Sequence, residues 1–214
     1  MLFRSDGLQA IAAKSRPDAF PLLGGVDDLW EQLKALIHEP HEYGTLIVDS
    51  VTALERLFVQ SVIDSDPKKP KGIQQAHDGY GAGRDAVAAM HGRVRKAAGI
   101  LAEKRGMHTV FVAHADTARI EPPDSDAYMR YTLRLHEKSM PAYVDDVDVV
   151  GFLRLETYTT GEGERKKAVS SGARELITYA TAANVSKNRY GITEPLPVPT
   201  GENPLVAFIP ALRS

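Results

Sequence analysis

Two runs of β-branched and apolar residues are the strongest pattern in the chain. They cover Thr45–Val48, which is followed by Asp49 and Ser50, and Thr109–Ala113, which is followed by His114. A continuous rather than alternating run is typical of a strand that is covered on both faces in a parallel sheet. We therefore predict two buried parallel strands, each of which ends at polar residues.

Helical spacing of apolar residues appears in three segments around these strands. It predicts helices over Val26–His38, Ser50–Ile63 and Arg84–Arg105, and Gly106 suits the end of the last one. The polar stretch Asp64–Gly83 is rich in Lys, Pro and Gly and is predicted to be a long loop.

The second half of the chain lacks a helical period. We predict a strand–helix–strand unit followed by antiparallel strands, which is an α/β fold, within one domain over residues 1–214. The further predicted elements are a loop at Ala115–His136, a turn at Thr160–Gly172, and strands at Met1–Phe3, Val147–Leu155, Leu176–Val185 and Val206–Ile209.

Composition narrows the classes of function. The 214 residues contain no cysteine, which excludes disulfides, thiolate zinc sites and a cysteine nucleophile. The formal net charge is −2, so contacts to nucleic acid would have to come from local patches. Without an apolar run of about 20 residues or a signal-like start, we expect a soluble, cytoplasmic protein with no membrane contact.

The ends of the two apolar strands carry the first candidate chemistry. An acidic residue at the tip of a buried strand, here Asp49, can orient Mg²⁺ and its waters beside a nucleotide's phosphates, as in the Walker B arrangement of P-loop NTPases. The alternative is an Asp that only caps the next helix. His114 ends the following strand at the same predicted edge, and it is either a ligand contact or a hydrogen-bonded structural histidine.

The segment Ser186–Gly191 contains two cations, Lys187 and Arg189, before a glycine turn. The functional interpretation is an arginine finger with a companion lysine that reaches a neighbouring subunit's nucleotide and stabilises phosphoryl charge. The alternative is a solvated hairpin tip.

Two polar loops interleave cations with aromatic residues. This combination suits single-stranded DNA, through phosphate contacts and base stacking, although a solvated mobile loop is an equal competitor. The predicted DNA-binding residues are Lys68, Lys69, Lys71, Tyr80 and Arg84 in the first loop, and Arg119, Tyr128, Arg130, Tyr131 and Arg134, with His136, in the second.

Several common motifs do not occur in the sequence. There is no Gly-x-x-x-x-Gly-Lys-Ser/Thr phosphate-binding loop, and Gly79–Gly83 lacks both the lysine and the hydroxyl residue. A dinucleotide-binding Gly-x-Gly-x-x-Gly, a His-Glu-x-x-His metal motif and a Gly-x-Ser-x-Gly nucleophile elbow are also missing.

The order of these features resembles the phage nucleotide-binding proteins with a RecA-like AAA domain, including single-strand-annealing recombinases of the Sak type. The Lys-x-Arg element is also similar to the finger segment of hexameric DnaB-type helicases. The stretches that carry the resemblance are Tyr43–Ser50, Gly79–Gly81, Arg105–Met107 leading into Val112–His114, Tyr131–Lys138, Asp145–Asp148 and Ser186–Tyr190.

The resemblance implies a RecA-like P-loop NTPase core, in which helices flank a mostly parallel central sheet and the C-terminal strands are antiparallel. It also implies Mg-ATP sites between subunits and action on single-stranded DNA in a bacterial host cell. Asp49 would be the Walker B carboxylate that holds Mg²⁺ through water, with Ser50 beside the nucleotide, and His114 would be the γ-phosphate sensor. Lys187 and Arg189 would act in trans within a ring or filament, and a single-strand-binding protein is a possible partner. Asp6 is the nearest counterpart of the family's catalytic glutamate.

The absent phosphate loop leaves competing interpretations. We expect that the N-terminal P-loop strand is missing through truncation or is supplied by another chain, rather than that the chain is a degenerate paralogue. On either account, the chain alone is expected to be inactive. The alternative functions are a non-catalytic DNA- or partner-binding module, and a structural subunit in which Lys187 and Arg189 only form interface salt bridges.

Overall fold

The computed structural model describes residues 11–160 and 167–212. The chain divides into two compact units, one formed by Met1–Asp116 with Leu133–Asp146 and the other by Thr117–Thr132 with Val147–Ser214. The predicted strand at Met1–Phe3 lies outside the described residues, and the prediction of a single domain stays a prediction.

The first unit contains the predicted helices and parallel strands, with ends that differ by only a few residues from those expected. Short 3₁₀ turns at Ala13–Ser15 and Ala76–Asp78 complete it. Its helices are α1 (Val26–His38), α2 (Val51–Ser65), α3 (Ala82–Arg105) and α4 (Pro141–Val144), and its strands are β1 (Thr45–Asp49) and β2 (His108–Val112).

The ends of α1 and α3 are held by local polar contacts. The Asp28 carboxylate accepts the backbone N–H groups of Gly24 and Gly25 at 2.6 and 3.2 Å, which caps the start of α1. The Arg105 guanidinium, in the last turn of α3, donates to the carbonyls of Ile37 and Glu39, so one helix end satisfies the open carbonyls of another.

The two strands of this unit pair in parallel, with Ile47 opposite Val110 and Asp49 opposite Val112. The face that carries Leu46 and Val48 packs on the helices, and both side chains are 1% exposed. The other face is open, since Val110 and Val112 are 47% and 37% exposed. The prediction that both faces of these two strands are covered is therefore wrong. Residues of α1, α2 and α3 all pack on the face that carries Leu46 and Val48, and these helices leave the opposite face uncovered.

Aromatic residues fill the centre of this core. Phe58 of α2 is fully buried, stacks on Trp30 with ring centroids 5.9 Å apart, and meets the edge of His91 at 4.8 Å. Arg93 lies over the outer side of Trp30, 4.1 Å from the ring centroid. These ring contacts join α1, α2 and α3 in the core.

The second unit is built almost entirely from strands. A two-stranded sheet is formed by β3 (Ala115–Ile120) and β4 (Tyr128–Leu133). Most residues of these two strands belong to the second unit. Strand β5 (Val149–Val150) pairs antiparallel with β8 (Lys187–Asn188). Strands β6 (Phe152–Thr160), β7 (Lys167–Ile177) and β9 (Leu196–Pro197) form an antiparallel sheet in that order.

Several predicted elements of this half are wrong. The stretch Ala115–His136 contains β3 and β4 rather than a loop, and the strand expected at Leu176–Val185 lies earlier, at Lys167–Ile177, so it takes up part of the predicted turn. The expected last strand, Val206–Ile209, is instead a 3₁₀ turn at Pro204–Ala207.

The overall class is mixed α/β, with both parallel and antiparallel sheets. Among the described strand pairs with a known direction, β1 and β2 are parallel and the others are antiparallel. The described strands are therefore less parallel than the predicted central sheet. No helix in the described part of the chain is both long and apolar enough to cross a membrane.

Candidate functional site

Asp49 lies at the carboxyl end of β1, on the open face of the two-stranded sheet. Its side chain is half-buried, and the peptide bond to Ser50 is cis. Ser50 is 3% exposed and caps α2, because its Oγ accepts the N–H of Ala53 at 3.2 Å. The backbone of Asp49 therefore lies between the end of a strand and a capped helix start.

His114 lies at the same edge of the sheet as Asp49. Its backbone N–H donates to Oγ1 of Thr52 at 3.0 Å, which joins the chain two residues beyond β2 to the first turn of α2. The structure therefore places the two predicted site residues at the same edge of the sheet, because Asp49 pairs with Val112 and His114 follows two residues later. Sequence reasoning missed Thr52, although a threonine three residues after Asp49 was a visible signal.

A cavity of about 400 Å³ opens beside this edge, entirely within the first unit. It lies between the first turns of α2, the residues that follow β2, and the segment that follows β4. Its lining consists of two arginines, two histidines, two carboxylates, one threonine and one leucine, namely Arg56, Arg134, His114, His136, Glu55, Asp116, Thr52 and Leu135.

Glu55 also lines this cavity and connects it to a buried polar network. Its Oε1 accepts from Arg84 at 3.2 Å, and its Oε2 lies 2.9 Å from Nε2 of His91, which is fully buried. The other ring nitrogen of His91 lies 2.7 Å from the hydroxyl of Tyr143. Arg84, predicted to bind DNA, therefore contacts a carboxylate of its own chain.

The network changes the acidity of its members. Burial alone raises the pKa of Glu55, but the hydrogen bond with His91 and the charges of His91 and Arg84 outweigh it and hold this pKa below its ordinary value. Burial and the nearby Glu55 charge raise the pKa of Tyr143. Glu55 is thus an anion and Tyr143 a neutral hydroxyl over the physiological range.

The loop between α2 and α3 is organised by Asp66, which is buried. Its oxygens accept the N–H groups of His77 at 2.6 Å and Lys68 at 2.8 Å, and these bonds hold its pKa below the ordinary value. The Lys68 ammonium forms a salt bridge with Asp78, and Tyr80 is fully exposed. Two more predicted DNA contacts of this loop are also exposed, namely Lys69 and Lys71.

The predicted finger residues lie in the second unit. Lys187 is in β8 opposite Val150, and Arg189 lies 3.3 Å from Asp148 in an exposed ion pair. Asn188 organises the turn between and after them. Its amide donates to two carbonyls at 2.8 Å, and its oxygen accepts two backbone N–H groups, so it is a structural residue that sequence reasoning missed.

The remaining predicted DNA contacts lie on β3 and β4. Arg119 pairs with Glu121 at 2.9 Å, and Tyr131 stacks on Phe152 with ring centroids 4.8 Å apart. Tyr128 and Arg130 are half-buried, and Nε of Arg130 is buried without a hydrogen-bond partner among the described residues. The structure thus divides the predicted DNA contacts between the two units.

Comparison with known families supplies the context for this site. A model of the AAA domain matches residues 2–190. The chain belongs to the AAA domain family. Searches of curated proteins and of solved structures found no match to it.

Membership in the AAA domain family indicates an ATPase-like, nucleotide-binding function of the P-loop type. ATP and Mg²⁺ are the general ligands of such AAA domains. Asp6, the predicted counterpart of a catalytic glutamate, lies outside the described residues.

The residues at the Asp49 edge fit a magnesium ion of the kind that an AAA domain uses. Mg²⁺ typically keeps several waters and takes one or two carboxylates together with phosphate oxygens. Groups of three or more His, Asp or Glu side chains that could hold a metal directly do not occur within the described ranges. One half-buried carboxylate on an open sheet face suits a cation that is held through water and phosphate.

Proposed function

We propose that this AAA domain protein is a subunit of a RecA-like recombination ATPase of the phage type, which binds Mg-ATP and acts on single-stranded DNA. The observation that carries the proposal is the placement of Asp49 and His114 at one edge of a parallel strand pair. Ligands of open α/β sheets bind at the carboxyl ends of strands, and both residues lie at such ends.

In this proposal, each residue has a separate task. Bound Mg²⁺ supplies positive charge to the phosphates of ATP. Asp49 orients the waters of the cation, and His114, held by its backbone bond to Thr52, contacts the terminal phosphate. Lys187 and Arg189 reach the nucleotide of a neighbouring subunit in a ring or filament.

The polypeptide itself is expected to bind ATP weakly and not to hydrolyse it. Its sequence contains no Gly-x-x-x-x-Gly-Lys-Ser/Thr segment, and that segment's backbone N–H groups and lysine provide much of the affinity for phosphates in P-loop proteins. The phosphate cradle would then come from another segment or another chain.

Mg²⁺-dependent nucleotide binding tests the role of Asp49. In titrations followed by NMR, we expect weak binding of ATP that strengthens when Mg²⁺ is added. Asp49→Asn should abolish the Mg²⁺-dependent part. Asp64→Asn, at the far end of α2 in an exposed hydrogen bond with Gln60, is the matched control. Tight binding, or binding that Asp49→Asn does not alter, contradicts the proposal.

The finger is tested in a version of the protein that carries an added Walker A strand and loop ahead of Met1. If Arg189 acts in trans, Arg189→Ala lowers hydrolysis by about 10³-fold or more, as for other arginine fingers. Its exposed pair with Asp148 contributes little to stability, so the variant should still fold. Unchanged hydrolysis would leave Arg189 as an interface residue only.

A DNA-binding module without catalysis is the second candidate function, and the loop before α3 favours it. In this loop Tyr80 is fully exposed, and Lys69 and Lys71 are exposed as well. Such a surface can stack on bases and contact phosphates. A single-strand-binding protein remains a proposed further partner.

Fluorescence anisotropy with labelled single-stranded DNA across a salt series tests this second function. Replacing Lys69 and Lys71 together by Gln should reduce the salt slope of binding by about 1 to 2. Replacing Lys96 and Lys104 of α3 by Gln removes the same charge and should leave the slope unchanged. If DNA produces no response at low salt, DNA binding is eliminated.

A further inference from the structure

A second cavity lies in the second unit, where the chain beyond β9 leaves β7. Its volume is about 270 Å³, and its lining comprises residues 172–174 of β7 and residues 197–200 at the end of β9 and beyond it. All of these residues belong to the second unit. Neither Asp49 nor the finger segment contributes to the lining, so the cavity is independent of the proposed function.

One wall of this cavity is an irregularity in β7. While β6 advances by two residues, β7 advances by four, from Arg174 to Ser170, so residues 171–173 bulge out of the ladder between the two strands. Gly172 lies at the centre of the bulge with a φ of 81°, a value that favours glycine. Bulges are common beside functional sites, because they change the direction of the adjacent side chains.

The opposite wall is rigid and largely apolar. The ladder between β7 and β9 ends where the N–H of Val198 donates to the carbonyl of Arg174 at 2.9 Å. The chain then turns, since the N–H of Glu202 donates to the carbonyl of Pro199 at 3.3 Å. Pro197 and Pro199 flank the last ladder bond, and their fixed rings limit the movement of this wall.

Arg174 is the charged residue of the lining. Its side chain is exposed, and its Nη2 donates to Oγ1 of Thr200 at 3.1 Å. No carboxylate of the described residues lies within 4.0 Å of this guanidinium. The remaining N–H groups of Arg174 are therefore available to a ligand. A cation without an acidic partner, among apolar groups, favours a ligand that carries one negative charge beside an apolar group.

The surroundings of the cavity disfavour a polyanion such as DNA. Oε2 of Glu156 accepts from Oγ of Ser171 at 2.6 Å, which places a carboxylate beside the bulge. The described lining residues include neither an aromatic ring nor a second cation. Surfaces that bind single-stranded DNA combine a positively charged groove with stacking rings. A single carboxylate therefore matches this cavity better than a chain of phosphates.

We propose that this cavity binds the C-terminal carboxylate of an extended peptide from a partner protein, with Arg174 paired to the carboxylate. A guanidinium matches a carboxylate in a planar, two-point contact. At the end of a chain the carboxylate and the last side chain share one Cα atom, so an apolar last residue can contact the prolines while its carboxylate contacts Arg174.

The size of the cavity and the free edge of β7 also support a peptide. A volume of about 270 Å³ is smaller than the range of about 300–1,000 Å³ that is typical of small-molecule sites, which suits the end of a peptide better than a whole cofactor. Beyond Arg174, no described strand pairs with β7 on the side of β9. The rest of the peptide can add to this edge as a further strand.

NMR of the backbone amides in the full 214-residue protein tests the proposal. The probes are three N-acetylated hexapeptides, Thr-Ser-Thr-Ser-Thr followed by Leu, Val or Phe, each with a free C-terminal carboxylate, and the three corresponding C-terminal amides. At least one free acid should shift the signals of Gly172, Ala173 and Val198 along a saturable curve. Its amide should bind about tenfold more weakly or less, because it lacks the charge that pairs with Arg174.

Two variants of the cavity should weaken the binding of the free acid. Arg174→Gln removes the cation and should weaken binding by about tenfold or more. Thr200→Glu keeps the guanidinium but supplies a competing carboxylate beside it, so it should weaken binding as well. Both residues are exposed, so both variants should fold. Lys34→Gln, on the exposed side of α1, removes the same charge and should leave binding unchanged.

Three results would overturn the proposal: no saturable shift with any of the six peptides, equal binding of the acids and their amides, or equal weakening by Arg174→Gln and Lys34→Gln. A shift of the same signals by an oligo-dT, without a shift by the peptides, would assign the cavity to DNA and overturn it too. Asp49→Asn should retain peptide binding, which separates this site from the nucleotide proposal.

Discussion

Nε2 of His91 and Oε2 of Glu55 lie 2.9 Å apart, in a contact that joins the interior of the first unit to a wall of its cavity. Tyr143 completes the arrangement at the other ring nitrogen. Both ring nitrogens of His91 are therefore engaged, Nε2 with the Glu55 carboxylate and Nδ1 with the Tyr143 hydroxyl.

Replacing His91 by Phe should strongly destabilise the protein. The substitution leaves the Glu55 carboxylate and the Tyr143 hydroxyl without their partner, and we expect a loss of about 2–4 kcal/mol. Tyr143→Phe removes only the hydroxyl and should cost about 1 kcal/mol. The exposed His38 gives the control, since His38→Phe should change stability by less than about 0.5 kcal/mol. Urea denaturation measures all three.

The depressed pKa of Glu55 predicts how stability depends on pH. The folded protein releases this proton more readily than the unfolded chain, so the contribution is present in full above the ordinary value of 4.5 and is lost as pH falls below it through the folded pKa. Glu55→Gln should be less stable than the parent at neutral pH, and the difference should shrink in acid. Asp66, whose pKa is also lowered, is present in both proteins and cancels in the comparison. A pH-independent difference would refute this prediction.

Two threonines should respond in opposite ways to the same substitution. Thr52→Val removes the acceptor of the His114 N–H and should cost about 1–2 kcal/mol, with a shift of the His114 amide resonance. The Thr109 hydroxyl is buried without a hydrogen-bond partner among the described residues, so Thr109→Val should be neutral or stabilising. Equal effects would contradict the assigned role of Thr52.

Two glycines of α3, Gly83 and Gly92, should also respond in opposite ways to the same substitution. A Cβ on Gly83 would lie 2.5 Å from the carbonyl oxygen of Ile73, so Gly83→Ala should destabilise the protein by about 1–3 kcal/mol. A Cβ on Gly92 meets nothing within 4 Å, so Gly92→Ala should stabilise the helix by about 0.5–1 kcal/mol. Thermal unfolding of both variants would show whether α3 approaches the Ile73 backbone as closely as described.

Local patterns predicted the first unit well, because its elements carry their own signals. The uninterrupted run before Asp49 indicated a strand, and Gly106 indicated a helix end, where the structure has a left-handed residue with φ of 63°. The same patterns failed at β3, whose residues are mostly polar or small and exposed. Strands of this kind depend on their partners rather than on their own composition.

The network at Glu55 could not have been predicted from local sequence. Its members are 36 and 52 residues apart, and nothing in their immediate neighbours indicates that they meet. The pairing of Arg84 with Glu55 is equally non-local, so the sequence alone predicts a DNA contact for Arg84 and gives no sign of the carboxylate. Folding brings these residues together only after α2, α3 and α4 have packed on one another.

The side chains of β1 alternate between two faces of the strand, and this alternation sets the surroundings of its last residue, Asp49. Thr45, Ile47 and Asp49 share one side of the strand, and Leu46 and Val48 share the side that meets the helices. Inserting or deleting a single residue within this strand would exchange the two sides and force the carboxylate among leucines, where a lone charge is strongly disfavoured. The position of Asp49 in the alternating pattern of β1, more than the apolar content of the strand, therefore decides whether its carboxylate is available to a ligand.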